Sequence, residues 1–174
     1  MRRIRTYIAI LIIAANTMNF AGCSLAAKAA DLMDGISANS VTGKKADEAF
    51  TANMADFAME LFKKSITEKQ NSLISPLSVM LALAMTANGA DGETLAQMET
   101  LLGGGIRLAE LNEYLYSYIK ALPNTEKSKL SIADSIWFRD QKDRLQVKPD
   151  FLQVNADYYG AAVYKPELRV RVTM

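Results

Sequence analysis

One stretch limits this chain more than any other: "LISPLSVMLALAMTANGADGET", residues 73–94. Ser75 can accept a backbone N–H bond as an N-cap, and Pro76 suits the first helical position, where an N–H would be unpaired anyway. Leu77, Val79, Met80, Leu81, Leu83 and Met85 then fall on every side of the helix, with alanines between them, until Asn88-Gly89 ends it. A helix apolar on all sides belongs at the centre of a fold. Each such side chain contributes about 1.5–3 kcal/mol when fully buried, so whatever covers this helix decides whether the chain is stable.

The flanking sequence supplies candidates. Phe50, Met54, Phe57 and Leu61 recur at helical spacing, with Phe62 widening the stripe and Asp47 and Glu48 at the start, so residues 47–66 read as an amphipathic helix. Leu73-Ile74 is a short strand candidate. Asp91 can cap a helix over 92–102 carrying Leu95, Met98, Leu101 and Leu102. "GGG" at 103–105 lacks the Lys-Ser/Thr of a phosphate loop and follows a helix, so it reads as a turn. A further helix, 108–121, aligns Leu108, Leu111, Leu115, Tyr118 and Leu122, with Tyr114 and Tyr116 off the stripe. From Leu130 to Phe138 the period becomes two, which is a strand. Asp134 falls on its apolar face and reads as a hydrogen-bonded structural carboxylate rather than a catalytic one. Pro149 opens a last helix with Phe151, Val154 and Tyr158 on one face, Gly160 closes it, and "AAVYK" is a final strand. The class is α+β, about five helices with the first strands of a sheet, and no internal repeat.

Several chemistries are disfavoured. The chain has no His, the commonest general base and metal ligand, and a single Cys, so neither an internal disulfide nor a Cys-rich metal site can form. No nucleophile elbow, paired carboxylates or Lys-centred serine motif can be placed, so an enzyme is not expected. With 20 basic and 19 acidic residues and no basic stripe, a nucleic-acid partner has no electrostatic support. No cofactor is implied.

The first residues read as an address. Three arginines precede the short apolar run Tyr7 to Ala15, which is well below the roughly 20 residues of a membrane-spanning helix. Residues 1–22 therefore read as a signal peptide. Phe20-Ala21-Gly22-Cys23 resembles a bacterial lipoprotein box, which makes Cys23 the expected lipid attachment site and the cell envelope or exterior the expected location. Without that leader, 17 basic side chains face 19 acidic ones, a net charge of −2. Residues 23–46, rich in Ala, Ser, Asn, Gly and Lys, are expected to be a flexible tether.

Three blocks, in order, carry a resemblance. "NSLISPLSV" running into "LALAMTANGADGETLAQM", then "LSIADSIWFRD", then "VKPDFLQVNADYYGAAVYK" together resemble the N-terminal part of a serpin. The similarity covers residues 47–165; Asp134 stands where that family usually has Asn, and residues 166–174, "PELRVRVTM", are an atypical tail. The resemblance implies a serine or cysteine protease as partner. It also implies inhibition by a cleaved reactive loop that inserts as a new strand into the large sheet. Asn71, Ser75 and Ser78 match the family's shutter, the place where that sheet opens. The family's reactive loop lies near its C-terminus, beyond the three blocks, so this chain alone is expected to be a non-inhibitory, incomplete serpin fold. The alternative is a membrane-tethered interaction module of the envelope. Helix 108–121 lacks the run of Lys and Arg with which some family members hold heparin, so that partner is not supported.

Overall fold

A computed structural model describes residues 29–67, 70–139 and 146–166. The elements run β1 (Ala29–Asp31), α1 (Glu48–Ser65), α2 (Pro76–Ala87), α3 (Gly92–Gly103), α4 (Leu108–Ala121), β2 (Asn124–Thr125), β3 (Ser128–Lys129), β4 (Ser135–Trp137), α5 (Pro149–Tyr159) and β5 (Ala162–Pro166). β2 and β3 form a small hairpin. β1, β5 and β4 form a sheet in that order, with β1 antiparallel and β4 parallel to β5.

The starts and stops follow the residues that encode them. Asp47 caps α1 by accepting the Phe50 N–H at 2.9 Å, and Asp91 caps α3 by accepting the Gly92 N–H at 2.7 Å. α3 and α5 both end on a glycine in the left-handed region, Gly104 at φ +59° and Gly160 at φ +57°. Other residues avoid that conformation because Cβ crowds the following carbonyl.

The core lies where α1, α2, α3 and α4 meet. Phe50, Met80, Leu81, Leu102, Leu111 and Leu115 are its largest enclosed apolar side chains, and the Phe50 ring stacks on Tyr114 with centroids 4.8 Å apart. α5 packs against α2 and α4, and the chain then turns through Gly160 into β5.

Several expectations are corrected. α2 is not enclosed on all sides: Met80, Leu81, Ala84, Met85 and Ala87 are buried, while Ser75, Ser78, Val79, Ala82 and Thr86 lie exposed along the opposite face. Its neighbours among the described residues all pack on one side. The strand expected from Leu130 to Phe138 is paired only at Ser135–Trp137, because β5 is a neighbour for that part alone. Leu73 is 98% exposed in an unpaired segment, so Leu73-Ile74 forms no strand. Phe62 and Leu101 are exposed, whereas Tyr114, expected off the α4 stripe, is buried against Phe50. On α5 the buried residues are Leu152, Asn155 and Ala156 rather than the Phe151, Val154 and Tyr158 face.

Residues 29–46, expected as part of a free tether, lie along the fold. β1 pairs with β5, and the Leu32 N–H reaches the Val163 carbonyl at 2.9 Å. The Asn39 N–H donates to the Asp157 carboxylate at 2.7 Å, Gln153 Nε2 to the Ser37 carbonyl at 3.0 Å, and the Lys44 N–H to the Glu113 carbonyl at 3.1 Å. Small and polar composition signals a tether only when the backbone has no edge to pair with; here the outer edge of β5 provides one.

Candidate functional site

Two of the residues singled out by sequence, Ser75 and Ser78, meet at the N-terminus of α2. Ser75, in extended backbone with Pro76 fixing the first turn, accepts the Ser78 N–H at 3.4 Å, and the two hydroxyl oxygens stand 2.8 Å apart. This is ordinary N-capping chemistry. Both serines are exposed, on the same face as Val79, Ala82 and Thr86. Asn71 is also exposed but lies outside this pair, in the irregular segment ahead of the helix. Cys23 lies outside the described residues.

Among the described residues the sheet ends on β4. The Ala162 N–H donates to the Asp134 carbonyl at 3.0 Å and the Phe138 N–H to the Tyr164 carbonyl at 2.9 Å. Alternation along a strand then turns the backbone groups of Ser135 and Trp137 toward the outer edge of β4, where the described residues offer no strand. The Trp137 ring is 58% exposed and rests 4.8 Å from the Tyr164 ring, with its Nε1–H donated to Ser135 Oγ at 2.9 Å. Asp134, expected to be structural, is half-buried, and burial raises its carboxyl above the usual carboxylate range.

Sequence reasoning missed a polar layer behind this face. Tyr159 on α5 donates its hydroxyl to Asn112 Oδ1 at 2.5 Å, and Asn112 Nδ2 donates to Asn88 Oδ1 at 2.9 Å, joining α5, α4 and the end of α2. Asn155, 0% exposed, donates Nδ2 to the Phe151 carbonyl at 2.9 Å. The signal was present: Asn112 stands four residues after Leu108 and three before Leu115, and so on their stripe. Asn155 relates in the same way to Leu152 and Tyr159. Next to this layer a mainly apolar groove of about 810 Å³ opens, lined by Asn88, Leu95, Met98, Leu108, Phe138 and Phe151 among others.

A second polar cluster fixes the residues ahead of α1. Tyr114 donates its hydroxyl to Asp47, Lys44 pairs with Glu110, and the Lys44 ammonium lies 4.6 Å from the centre of the Tyr114 ring. The bond to Asp47 raises the Tyr114 hydroxyl, while the Phe50 N–H and then Tyr114 lower the Asp47 carboxyl.

These shifts give a pH dependence. Burial is the main cause raising Tyr159 and Tyr158 above the ordinary tyrosine value. An unfolded tyrosine titrates near about 10, so above that pH only the unfolded chain releases these protons. The stability they carry is whole below about pH 10 and is lost as pH rises further. The urea midpoint followed by far-UV circular dichroism is expected to fall steeply above that pH. Tyr159→Phe is expected to flatten the fall; an unchanged slope would mean that Tyr159 titrates freely in the folded chain.

Among the described residues a layer of helices backs a three-stranded sheet in which β4 has no neighbour on its outer edge. Among the described residues no group of His, Cys, Asp and Glu could hold a metal ion, and no helix is long and apolar enough to cross a membrane. The family model "Serpin (serine protease inhibitor)" matches residues 52–169, and the chain belongs to the serpin family. The fold is similar to the crystal structure of tengpin, a thermophilic serpin, in its native state: TM-score 0.73 and 62% identity over 79% of this chain and 35% of that one. Tengpin in its latent state gives a TM-score of 0.66 at 61% identity, over 71% of this chain and 33% of that one. Among curated relatives, putative non-inhibitory serpin-10 of Oryza sativa subsp. japonica is 37% identical over 101 residues, 56% of this chain and 24% of its own length. Human neuroserpin is 28% identical over 117 residues, 63% of this chain and 27% of its own. The chain thus spans about a quarter of the length of these curated relatives and about a third of the solved serpins.

Proposed function

We propose that this chain supplies the N-terminal scaffold of a serpin-type protease trap and does not inhibit by itself. The observation that carries this reading is the one-sided α2. It presents Ser75, Ser78, Val79, Ala82 and Thr86 on an open face, and β4 has no neighbour on its outer edge among the described residues, in a chain whose family match runs over residues 52–169. A trap that works by inserting a cleaved loop needs both a loop and a slot between strands of the large sheet. The described residues build the helices behind such a sheet and one end of it. The partner of the completed fold is a serine or cysteine protease, which acts as a reagent consumed in the trap, and the serpin itself is not an enzyme.

The test is direct. Incubation of the full chain with trypsin-like and elastase-like proteases is expected to yield no detergent-resistant adduct on a denaturing gel and no loss of protease activity. A covalent one-to-one adduct would overturn the reading.

Location follows from Cys23. With the lipid on Cys23, five residues separate it from Ala29, the first described residue and already paired in β1. At full extension the six Cα steps from Cys23 to Ala29 span at most about 20 Å. The anchor would therefore hold the fold close to the envelope membrane, nearer than a tether running to residue 46 would allow. Cys23→Ser is expected to move the protein from the membrane fraction to the soluble one and to remove the acyl mass from the intact protein. An unchanged distribution and mass would show that Cys23 carries no lipid. A second reading, an envelope interaction module, is favoured by exposed Leu73, Leu130 and Trp137, and a stable envelope partner unrelated to serpins would support it.

A further inference from the structure

We propose that Asn88-Gly89 is a spontaneous deamidation site, and that the polar layer of Asn112 and Tyr159 keeps it shut while the chain is folded. The modification needs no enzyme and no cofactor. Hydroxide takes the proton of the Gly89 backbone nitrogen, which attacks Cγ of Asn88. The new C–N bond closes an imide ring, and Nδ2 leaves as ammonia with a proton from water. Water then opens the ring to aspartate or isoaspartate, so water is consumed and ammonia released.

The pair is labile by its chemistry and fixed by its packing. Glycine has no Cβ to screen its nitrogen, and Asn88-Gly89 is the only Asn-Gly pair in the sequence. A Cβ at residue 89 would meet the Phe151 ring at 3.1 Å, so glycine is what lets α5 approach. Asn88 Oδ1 accepts the Asn112 amide at 2.9 Å, so asparagine is what ties the end of α2 to α4.

In the folded chain both reacting groups are held apart. Asn88 has helical backbone, φ −61° and ψ −15°, and the Gly89 N–H is donated to the Thr86 carbonyl at 3.0 Å. The attacking nitrogen is therefore kept in the last turn of α2. Its target is kept by the layer: Asn112 holds Oδ1, the Tyr159 hydroxyl holds Asn112 at 2.5 Å, and Asn88 Nδ2 is shut away from solvent. Burial of the backbone is not the reason, since Thr86 and Gly89 are exposed and hydroxide can reach them. Protection rests on the side-chain bonds and is lost when the layer opens or the chain unfolds. The change is then one-way. Aspartate brings a charge into the layer, and isoaspartate an extra main-chain atom; an enclosed charge is costly. A chain left open too long is thereby marked against refolding.

The experiment incubates the full chain in mildly alkaline buffer, folded and in urea, and follows deamidation at each asparagine by peptide mass spectrometry. Asn71-Ser72 is the internal reference, because Asn71 is exposed in an irregular segment. In urea Asn88 is expected to react faster than Asn71. In the folded chain the order is expected to reverse, with Asn88 slowed at least about tenfold against its rate in urea. Asn112→Ala is expected to restore reaction at Asn88 more than Leu81→Ala does, when both are compared at the same folded fraction by far-UV circular dichroism. Leu81→Ala weakens the core without touching the layer. If the Asn112→Ala chain does not fold, Tyr159→Phe, which deletes only a hydroxyl, carries the same comparison. A folded chain whose Asn88 reacts as fast as in urea would overturn the proposal. Equal acceleration by the layer and core variants would overturn it too, because global unfolding alone would then govern the site.

Discussion

Leu81→Ala is expected to lower the free energy of unfolding by about 2–5 kcal/mol, the range for emptying a well-packed leucine site. Leu81 is 0% exposed and belongs to the cluster that contains Phe50, Leu102, Leu111 and Leu115 from the three other helices of the layer. Those neighbours are held by their own helices and cannot all close on the space. Val79→Ala, two residues away on the same helix, is expected to cost less than about 1 kcal/mol, because that side chain is on the open face. The comparison is made by urea unfolding followed by far-UV circular dichroism at one fixed protein concentration. It separates two pictures of α2. If the helix were central, as its composition alone suggests, the two substitutions would cost similar amounts. Equal losses would therefore show that the open face is covered in solution.

The sequence marked helix boundaries well because each boundary rests on a local reason. Asp47, Ser75-Pro76 and Asp91 cap or open helices through their own side chains or ring, and Gly104 and Gly160 close helices through backbone freedom. Three family blocks in the right order were legible for the same reason, since they contain these punctuating residues. What the sequence did not reveal depends on distant neighbours. Residues 130–138 have strand periodicity, but periodicity cannot state whether a partner strand is present, and here β5 pairs with only part of them. Residues 29–46 look like a linker by composition, yet they dock because the outer edge of β5 was available to β1. The candidate site shows the same division. Ser75 and Ser78 came together as a local cap, which their own side chains encode. Tyr114 was misplaced because its partner, Phe50, lies on another helix.

Asn112→Ala is expected to lower the unfolding free energy by roughly 2–5 kcal/mol, although it deletes a polar side chain. Asn112 is 2% exposed on α4; it accepts from the Tyr159 hydroxyl at 2.5 Å and donates to Asn88 Oδ1 at 2.9 Å. Alanine removes both partners at once. Each enclosed polar group left unpaired costs about 1–3 kcal/mol, which is more than the modest net gain of forming such a bond in the first place. Tyr159→Phe removes one of the two abandoned groups, so the double variant is expected to be less destabilised than the sum of the single ones by about 1 kcal/mol or more. Additive losses would mean that Asn112 acts only through packing and that water repairs the rest. The coupling has a mechanical meaning. The layer fixes the end of α2 to α4 and α5, and α5 leads through Gly160 into β5, on which β4 is paired. Loosening Asn112 is expected to disturb the packing of α5 and the start of β5, whereas Leu81→Ala acts on the helical layer alone.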